Sequence, residues 1–333
     1  MSSAPTLCAN PDCTIAIDGK CIEGLATSTC PNFGRSPDMD EAAEDDPTPR
    51  APTAYDLASS AVLETAAASR LLAARPSRVI GIIATFDAGK TSLIAGVYDA
   101  FQRTPVAGMR FAGSSTLHSF EVACHDSRSA SRRIEAAMFR TPRGEARFYH
   151  LDLCPAVGGE PVTLLIADRA GEEYLKVSAE VANAAPLFEV ERADTLTVLV
   201  DGERLVDQRE RHNVRAEVEG ILQGLSDADL LNGRQQLAIA LTKHDAVQGS
   251  DRRDAAIADF DRLAQNIRRK FPQRFSDIRT FVTAASPKEP EARRGEGLPE
   301  LLAYWVQPVC APVEALGDPG GTRDFDLLRG PDA

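Results

Sequence analysis

The segment from Ala84 to Thr91, ATFDAGKT, sets small residues, a lysine and a hydroxyl at the spacing of a phosphate-gripping loop. Such a loop aims successive backbone N–H groups and the positive end of the next helix at phosphate oxygens. Asp87, Ala88 and Gly89 form its turn, Lys90 reaches the outer phosphates, and the Thr91 hydroxyl can ligate Mg²⁺. Glycine is usual where Ala84 stands, and alanine is the smallest departure from it. Three further groups follow in order. Asp168-Arg169-Ala170-Gly171 supplies a carboxylate able to hold Mg²⁺ through water, and a glycine amide able to sense a terminal phosphate. Thr242-Lys243-His244-Asp245 ends in a carboxylate that can accept two hydrogen bonds from the N1–H and N2–H₂ edge of guanine. Adenine lacks that donor pair, so a buried Asp245 would select GTP over ATP. Thr283, Ala284 and Ala285 offer backbone N–H groups to guanine O6.

A second constellation opens the chain. Cys8, Cys13, Cys21 and Cys30 supply four thiolates, the full set for tetrahedral Zn²⁺, although no pair has the common C-x2-C spacing. TIAIDGK, between Cys13 and Cys21, reads as two short strands around an Asp18-Gly19 turn. Unpaired thiols or redox use remain open beside structural zinc. Only Lys20 brings positive charge to residues 1–34, too little to contact many phosphates, so direct nucleic-acid binding is not expected.

These groups need a scaffold. Short β-branched runs, RVIGIIAT, ARFYHLDL, VTLLIAD, TLTVLVD, QLAIALT and TFVTAA, alternate with helical stretches at 90–101, 207–224, 252–270 and 298–305. Strand–helix alternation predicts a mainly parallel sheet covered on both faces, a three-layer α/β domain. Residues 146–154 and 162–168, separated by AVGGEP, are expected as one antiparallel hairpin. The chain divides into a zinc-ribbon-like module at 1–34, an acidic Pro-rich linker at 35–53, a docking helix within 54–77, the nucleotide domain at 78–312 and a tail at 313–333. At 333 residues with net charge −12, it has ordinary globular composition and no attraction to nucleic acid or anionic lipid over the whole chain. No apolar run is long enough to span a membrane, and a cytoplasmic location is expected. The five histidines and the basic residues at 262–274 read as ordinary surface groups.

Taken together, AxxxxGKT, DRAG, TKHD and TAAS resemble the translation-factor and Ras-like class of P-loop GTPases over about residues 78–308, and GEGLPELLAYWV resembles the last helix of such domains. AGSST at 112–116, TLHSF, IADRAGEEY and LVDGERL, with the N-terminal cysteines, resemble more narrowly the bacterial double-GTPase proteins, which are encoded as pairs and linked to conflict or defence systems. The resemblance implies a GTP/GDP switch working with Mg²⁺, and a partner that is a second GTPase or another protein of the same operon. It implies a first-switch threonine on Mg²⁺ and γ-phosphate, a role that falls on Thr116, which reads equally as a loop threonine. Glu172 stands where a water-orienting glutamine is usual, so unaided hydrolysis should be slow. Arg169 and Arg110 are the candidate sources of an arginine in the same chain. The rival is a GTP-binding scaffold with negligible hydrolysis.

Overall fold

A computed structural model describes residues 8, 15, 19, 21, 26–34, 61–130, 144–287 and 293–308, without the side chains of 126–130. The linker, the tail and Cys13 lie outside the described residues. The chain forms two compact units, Met1–Asp56 and Leu57–Ala333.

In the first unit, Cys8 and Phe33 form an antiparallel bridge. The Ala26 carbonyl accepts the N–H groups of Thr29 at 2.9 Å and Cys30 at 3.0 Å. Ile15 is helical rather than extended, and its carbonyl accepts the Gly19 N–H at 3.2 Å with Gly19 at φ +73°. Helical backbone at Ile15 departs from the strand expected there, and Asp18 lies outside the described residues. Cys8, Cys21 and Cys30 are half-buried. Among the described residues no three His, Cys, Asp or Glu side chains are placed to hold a metal.

The second unit runs α1 (Thr65–Ala74), β1 (Ser77–Ile83), α2 (Lys90–Phe101), β2 (Met109–Gly113), α3 (Leu117–Ala130), β3 (Arg147–Pro155), β4 (Val162–Asp168), α4 (Gly171–Ala179), a 3₁₀ turn (Val181–Ala184), α5 (Phe188–Arg192), β5 (Thr195–Asp201), α6 (Gly202–Val206), α7 (Arg211–Asp227), β6 (Gln236–Thr242), α8 (His244–Gln248), α9 (Arg253–Lys270), β7 (Asp277–Val282) and α10 (Leu298–Val306). The sheet order is β2-β3-β4-β1-β5-β6-β7. β4, β1, β5, β6 and β7 are mutually parallel. β3 and β4 pair antiparallel as expected, and β2 adds a second antiparallel pair on β3.

Alternation along each strand feeds two cores. Val79, Ile83, Leu165 and Leu196 face Val177 of α4, Val218 and Ile221 of α7, and Leu263 and Ile267 of α9. Ile80, Ile82, Leu164 and Ile166 face Leu93, Ile94 and Val97 of α2, Phe120 of α3, and Leu301 and Trp305 of α10. Apolar residues in α7 and α9 recur at three- and four-residue spacing, so each helix lays one stripe on the sheet. Trp305, fully buried, donates from Nε1 to Thr197 Oγ1 of β5 at 2.9 Å. α1 docks through Leu63, whose backbone exchanges two 2.8 Å hydrogen bonds with Phe148 of β3. No described helix is long and apolar enough to cross a membrane. The parallel strands all end on one edge, and the loops that leave them carry the expected chemistry.

Candidate functional site

The loop 84–89 leaves β1 with Ala84 and Ala88 buried. Asp87 and Gly89 take left-handed φ of 59° and 85°, and α2 begins at Lys90. Positive φ at alternate residues turns backbone N–H groups inward, the arrangement of an anion cradle at a helix N-terminus. Thr242 at the end of β6 fixes this loop: its hydroxyl lies 2.8 Å from the Ala88 carbonyl and 3.2 Å from that of Val200. Lys90 Nζ pairs with Asp168 Oδ1 at 2.6 Å and also donates to the Arg169 carbonyl. Thr91 is half-buried one residue into α2. A lysine, a hydroxyl and a carboxylate around one loop fit a triphosphate with its magnesium ion, because the cation meets phosphate and the hard oxygens suit Mg²⁺.

Gly171 opens α4 against this loop. A Cβ there would collide with the Ala84 carbonyl oxygen and lie 2.8 Å from the Thr85 carbonyl carbon, so only glycine permits the approach. Glu172 follows, half-buried in the first turn.

Arg169 does not point at the phosphate loop. It is 1% exposed, donating from Nε to Glu189 Oε1 at 2.6 Å, from Nη2 to Glu189 Oε2 at 3.0 Å and from Nη1 to Glu173 Oε2 at 2.5 Å, and also to the carbonyls of Gly144 and Pro186. Burial alone would lower its pKa, but the hydrogen bond and charge of Glu189 and the hydrogen bond to Glu173 raise it. Its commitments are structural, which corrects its expected availability to the terminal phosphate. Arg110 faces Cys154 in the β2–β3 register and donates to the Ala156 carbonyl at 3.1 Å. β3 starts beside the site, with Arg147 opposite Asp168, so Arg110 lies at the other end of the sheet.

Thr116 is likewise not brought to the magnesium group. It is fully buried, and its Oγ1 accepts the His150 N–H at 3.0 Å and lies 3.2 Å from Ser114 Oγ. His150 stands opposite Leu165, three residues before Asp168, which is about 10 Å along the strand. β2 and α3 intervene between α2 and β3, and Thr116 lies in the turn between them, beside β3 rather than beside Thr91. His150 is also no surface group: it is buried, with Nδ1 2.9 Å from both the Ser115 N–H and the Ser115 hydroxyl.

At the base end, Lys243 has φ 52° and caps α8. Its Nζ lies 3.2 Å from Asp87 Oδ2, 3.0 Å from Asp201 Oδ2 and 3.1 Å from Glu203 Oε2. Burial opposes its charge, but the nearby Asp201 and Asp87 charges and the hydrogen bonds to Asp201 and Glu203 raise its pKa. Asp245 is buried in the first turn of α8, and the His244 N–H donates to the Thr283 carbonyl at 3.1 Å. Thr242–Asp245 and 283–285 therefore form one corner. The Ala284 N–H donates to the Glu296 carbonyl at 3.1 Å. α2 presses on this corner, since a Cβ at Gly96 would lie 3.2 Å from the Ala285 side chain.

Residues 78–306 match the family described as Double-GTPase 2, more than half of the chain. The chain belongs to the Double-GTPase 2 family. No curated protein matches the sequence. Among solved structures, the signal recognition particle receptor SRb-GTP/SRX complex from Chaetomium thermophilum is similar at 12% identity and TM-score 0.38, over 69% of this chain and 97% of that one. Roco2 RocCORdC of Methanosarcina barkeri bound to GDP is similar at 11% identity and TM-score 0.32, over 69% of this chain and 48% of that one, so this family member spans about half of the Roco2 chain.

Sequence reasoning missed the residues that tie the loops together. Asp201 at the end of β5 is 1% exposed and accepts the N–H groups of Glu203 at 2.9 Å and Arg204 at 3.2 Å, capping α6. Its aspartate before a short helix was an available capping signal. Arg204 lies within the LVDGERL motif, but nothing in that motif assigned it a role at the site. It contacts Glu217, Glu210 and Thr85 of the phosphate loop, all from other parts of the chain.

Proposed function

We propose that this protein binds GTP and GDP as a molecular switch and hydrolyses GTP slowly. The observation that carries the reading is the meeting, on one edge of the sheet, of the 84–91 loop with Asp168 and Gly171 on one side and the buried Asp245 on the other. Lys90 and the loop amides, with Ala88 and Gly89 shaping the turn, bind the phosphates. Thr91 and Asp168 are the residues that would hold Mg²⁺, which when bound supplies neutralisation of phosphate charge. Asp245 accepts from the guanine edge, the Lys243 stem lies beside the base, and Ala285 N–H serves O6, that of Ala284 being engaged. Glu172 orients water poorly beside a polyphosphate because like charges repel.

The sequence resemblances alone suggest a second GTPase or another protein of the same operon as partner, within a bacterial conflict, defence or signalling system in the cytoplasm. A structural zinc held by Cys8, Cys13, Cys21 and Cys30 is a further part of the proposal, supported by the four thiolates that would complete a tetrahedral set. The test of the central reading is titration of the purified protein with GTP and ATP in Mg²⁺. GTP should bind at least tenfold more tightly, and Asp245→Asn should shift preference toward xanthosine nucleotides, since an amide can donate where the carboxylate only accepts. Equal binding of ATP and GTP would overturn it.

A further inference from the structure

The Arg204 side chain bridges α6, α7 and the phosphate loop. Nη1 and Nη2 meet the two Glu217 oxygens at 2.8 and 2.9 Å, and Nη2 meets Glu210 Oε2 at 2.9 Å. Nη1 also lies 3.5 Å from Thr85 Oγ1. Thr85 joins the phosphate loop to the start of α4, since its carbonyl accepts the Ala88 N–H at 3.4 Å and Gly171 packs against it. The Arg169 side chain is consumed inside the core, and Arg110 lies at the far end of the sheet. Of these three arginines, only Arg204 reaches the phosphate loop with its guanidinium.

We propose that Arg204 is the arginine that engages the terminal phosphate of bound GTP, and that Glu210 and Glu217 hold it back from doing so. This rests on the GTP-binding reading above. A guanidinium carries five donors in a planar fork that matches phosphate oxygens as well as carboxylates. Glu210 and Glu217 remain 42% and 25% exposed, so water screens their hold on Arg204. A terminal phosphate beside Thr85 presents a denser negative charge and can compete for the fork.

In hydrolysis the water oxygen adds to the γ-phosphorus while the bond from that phosphorus to the β–γ bridging oxygen breaks. The bond's electron pair goes to the bridging oxygen, leaving GDP; of the two water protons, one remains on inorganic phosphate and the other goes to solvent. The fork of Arg204 would offset charge gathering on those oxygens. Held by two glutamates, it does so for only part of the time, which gives slow turnover without any arginine from outside.

The test compares parent, Arg204→Ala, Arg204→Lys and Glu217→Gln in single-turnover GTP hydrolysis, with GDP and GTPγS affinities measured alongside. Arg204→Ala should slow hydrolysis about tenfold or more while GDP affinity stays within about threefold. Arg204→Lys should recover only part of the rate, because it restores charge without the fork, and added guanidinium ion should partly rescue Arg204→Ala. Glu217→Gln keeps the shape, frees the fork and should speed hydrolysis; it also tests the idea if Arg204→Ala fails to fold. A parent that binds no guanine nucleotide would defeat the GTP-binding reading itself. A parent that binds GTP, with hydrolysis unchanged in Arg204→Ala, overturns this inference alone. So would Glu217→Gln slowing hydrolysis, or equal losses of GDP and GTPγS affinity in Arg204→Ala, since those mark a purely structural arginine.

Discussion

Lys90 sits between the Asp168 carboxylate and the Arg169 carbonyl, so its charge serves the resting loop as well as any nucleotide. Replacing it removes a charge-assisted contact of roughly 1.5–3 kcal/mol, so Lys90→Ala should weaken GTP binding by about 10- to 100-fold in calorimetry. Unchanged affinity would mean that the loop amides alone carry the phosphates. A second residue gives a pH dependence. Burial lowers the pKa of His150 below its usual 6.5, with the opposing pull of Asp152, 3.2 Å from Nε2, insufficient to reverse this. The fold also uses Nδ1 beside the Ser115 N–H, an acceptor lost if that nitrogen is protonated. Because the unfolded chain takes up this proton near pH 6.5 and the folded chain only below that, the His150 contribution is present above pH 6.5 and is lost as pH falls below it. Denaturant midpoints should therefore fall between pH 7.5 and 5.5 in the parent and fall less in His150→Gln. An identical slope in both proteins would remove His150 as the cause.

At the scale of elements, the corner between β4 and α4 is held from behind. Arg169, Glu189 and Tyr174 are all buried, and the Tyr174 hydroxyl donates to Glu189 Oε1 at 3.2 Å; burial first, and then the Glu189 charge, raise the tyrosine's pKa. Glu189→Ala strands a buried guanidinium and should destabilise by about 3–5 kcal/mol in urea titration. Loss under about 1 kcal/mol would show that Glu173 and the carbonyls suffice. None of this was legible in the sequence, where DRAG reads only as a phosphate-sensing corner, because the partner glutamate lies in the five-residue α5. What was legible is instructive. β4, β5 and β6 are continuous apolar runs buried on both faces, and the sequence reading matches their ends at 162–168, 195–201 and 236–242. α2 likewise spans the expected 90–101. β2 escaped because MRFAG is a five-residue edge strand with partial burial, weak in either periodicity. Missing β2 and α3 is also what let Thr116 read as a switch residue: motif order survived, but the path of the chain between motifs did not.

At the scale of the molecule, the two units have separate internal packing, and the nucleotide loops all belong to the second. A ligand stabilises the unit it binds by mass action, so GTP with Mg²⁺ at about 100 times its dissociation constant should contribute about 2.7 kcal/mol to that unit. For a unit of this size, Leu57–Ala333, each kcal/mol moves the melting temperature by about 2–4 °C, which gives a rise of roughly 5–11 °C. Metal held by the four N-terminal cysteines would act on the first unit instead, because so short a segment has little apolar surface to bury and metal-binding energy becomes its folding energy. Metal analysis should therefore find about one zinc per chain. A strong chelator should remove it and expose residues 1–34 to protease while leaving the nucleotide-dependent melting shift intact. Cys30→Ser should do the same without the chelator. A zinc-free protein whose N-terminal segment resists protease would end the metal proposal, and a chelator that abolished the GTP shift would show that the first unit supports the nucleotide site.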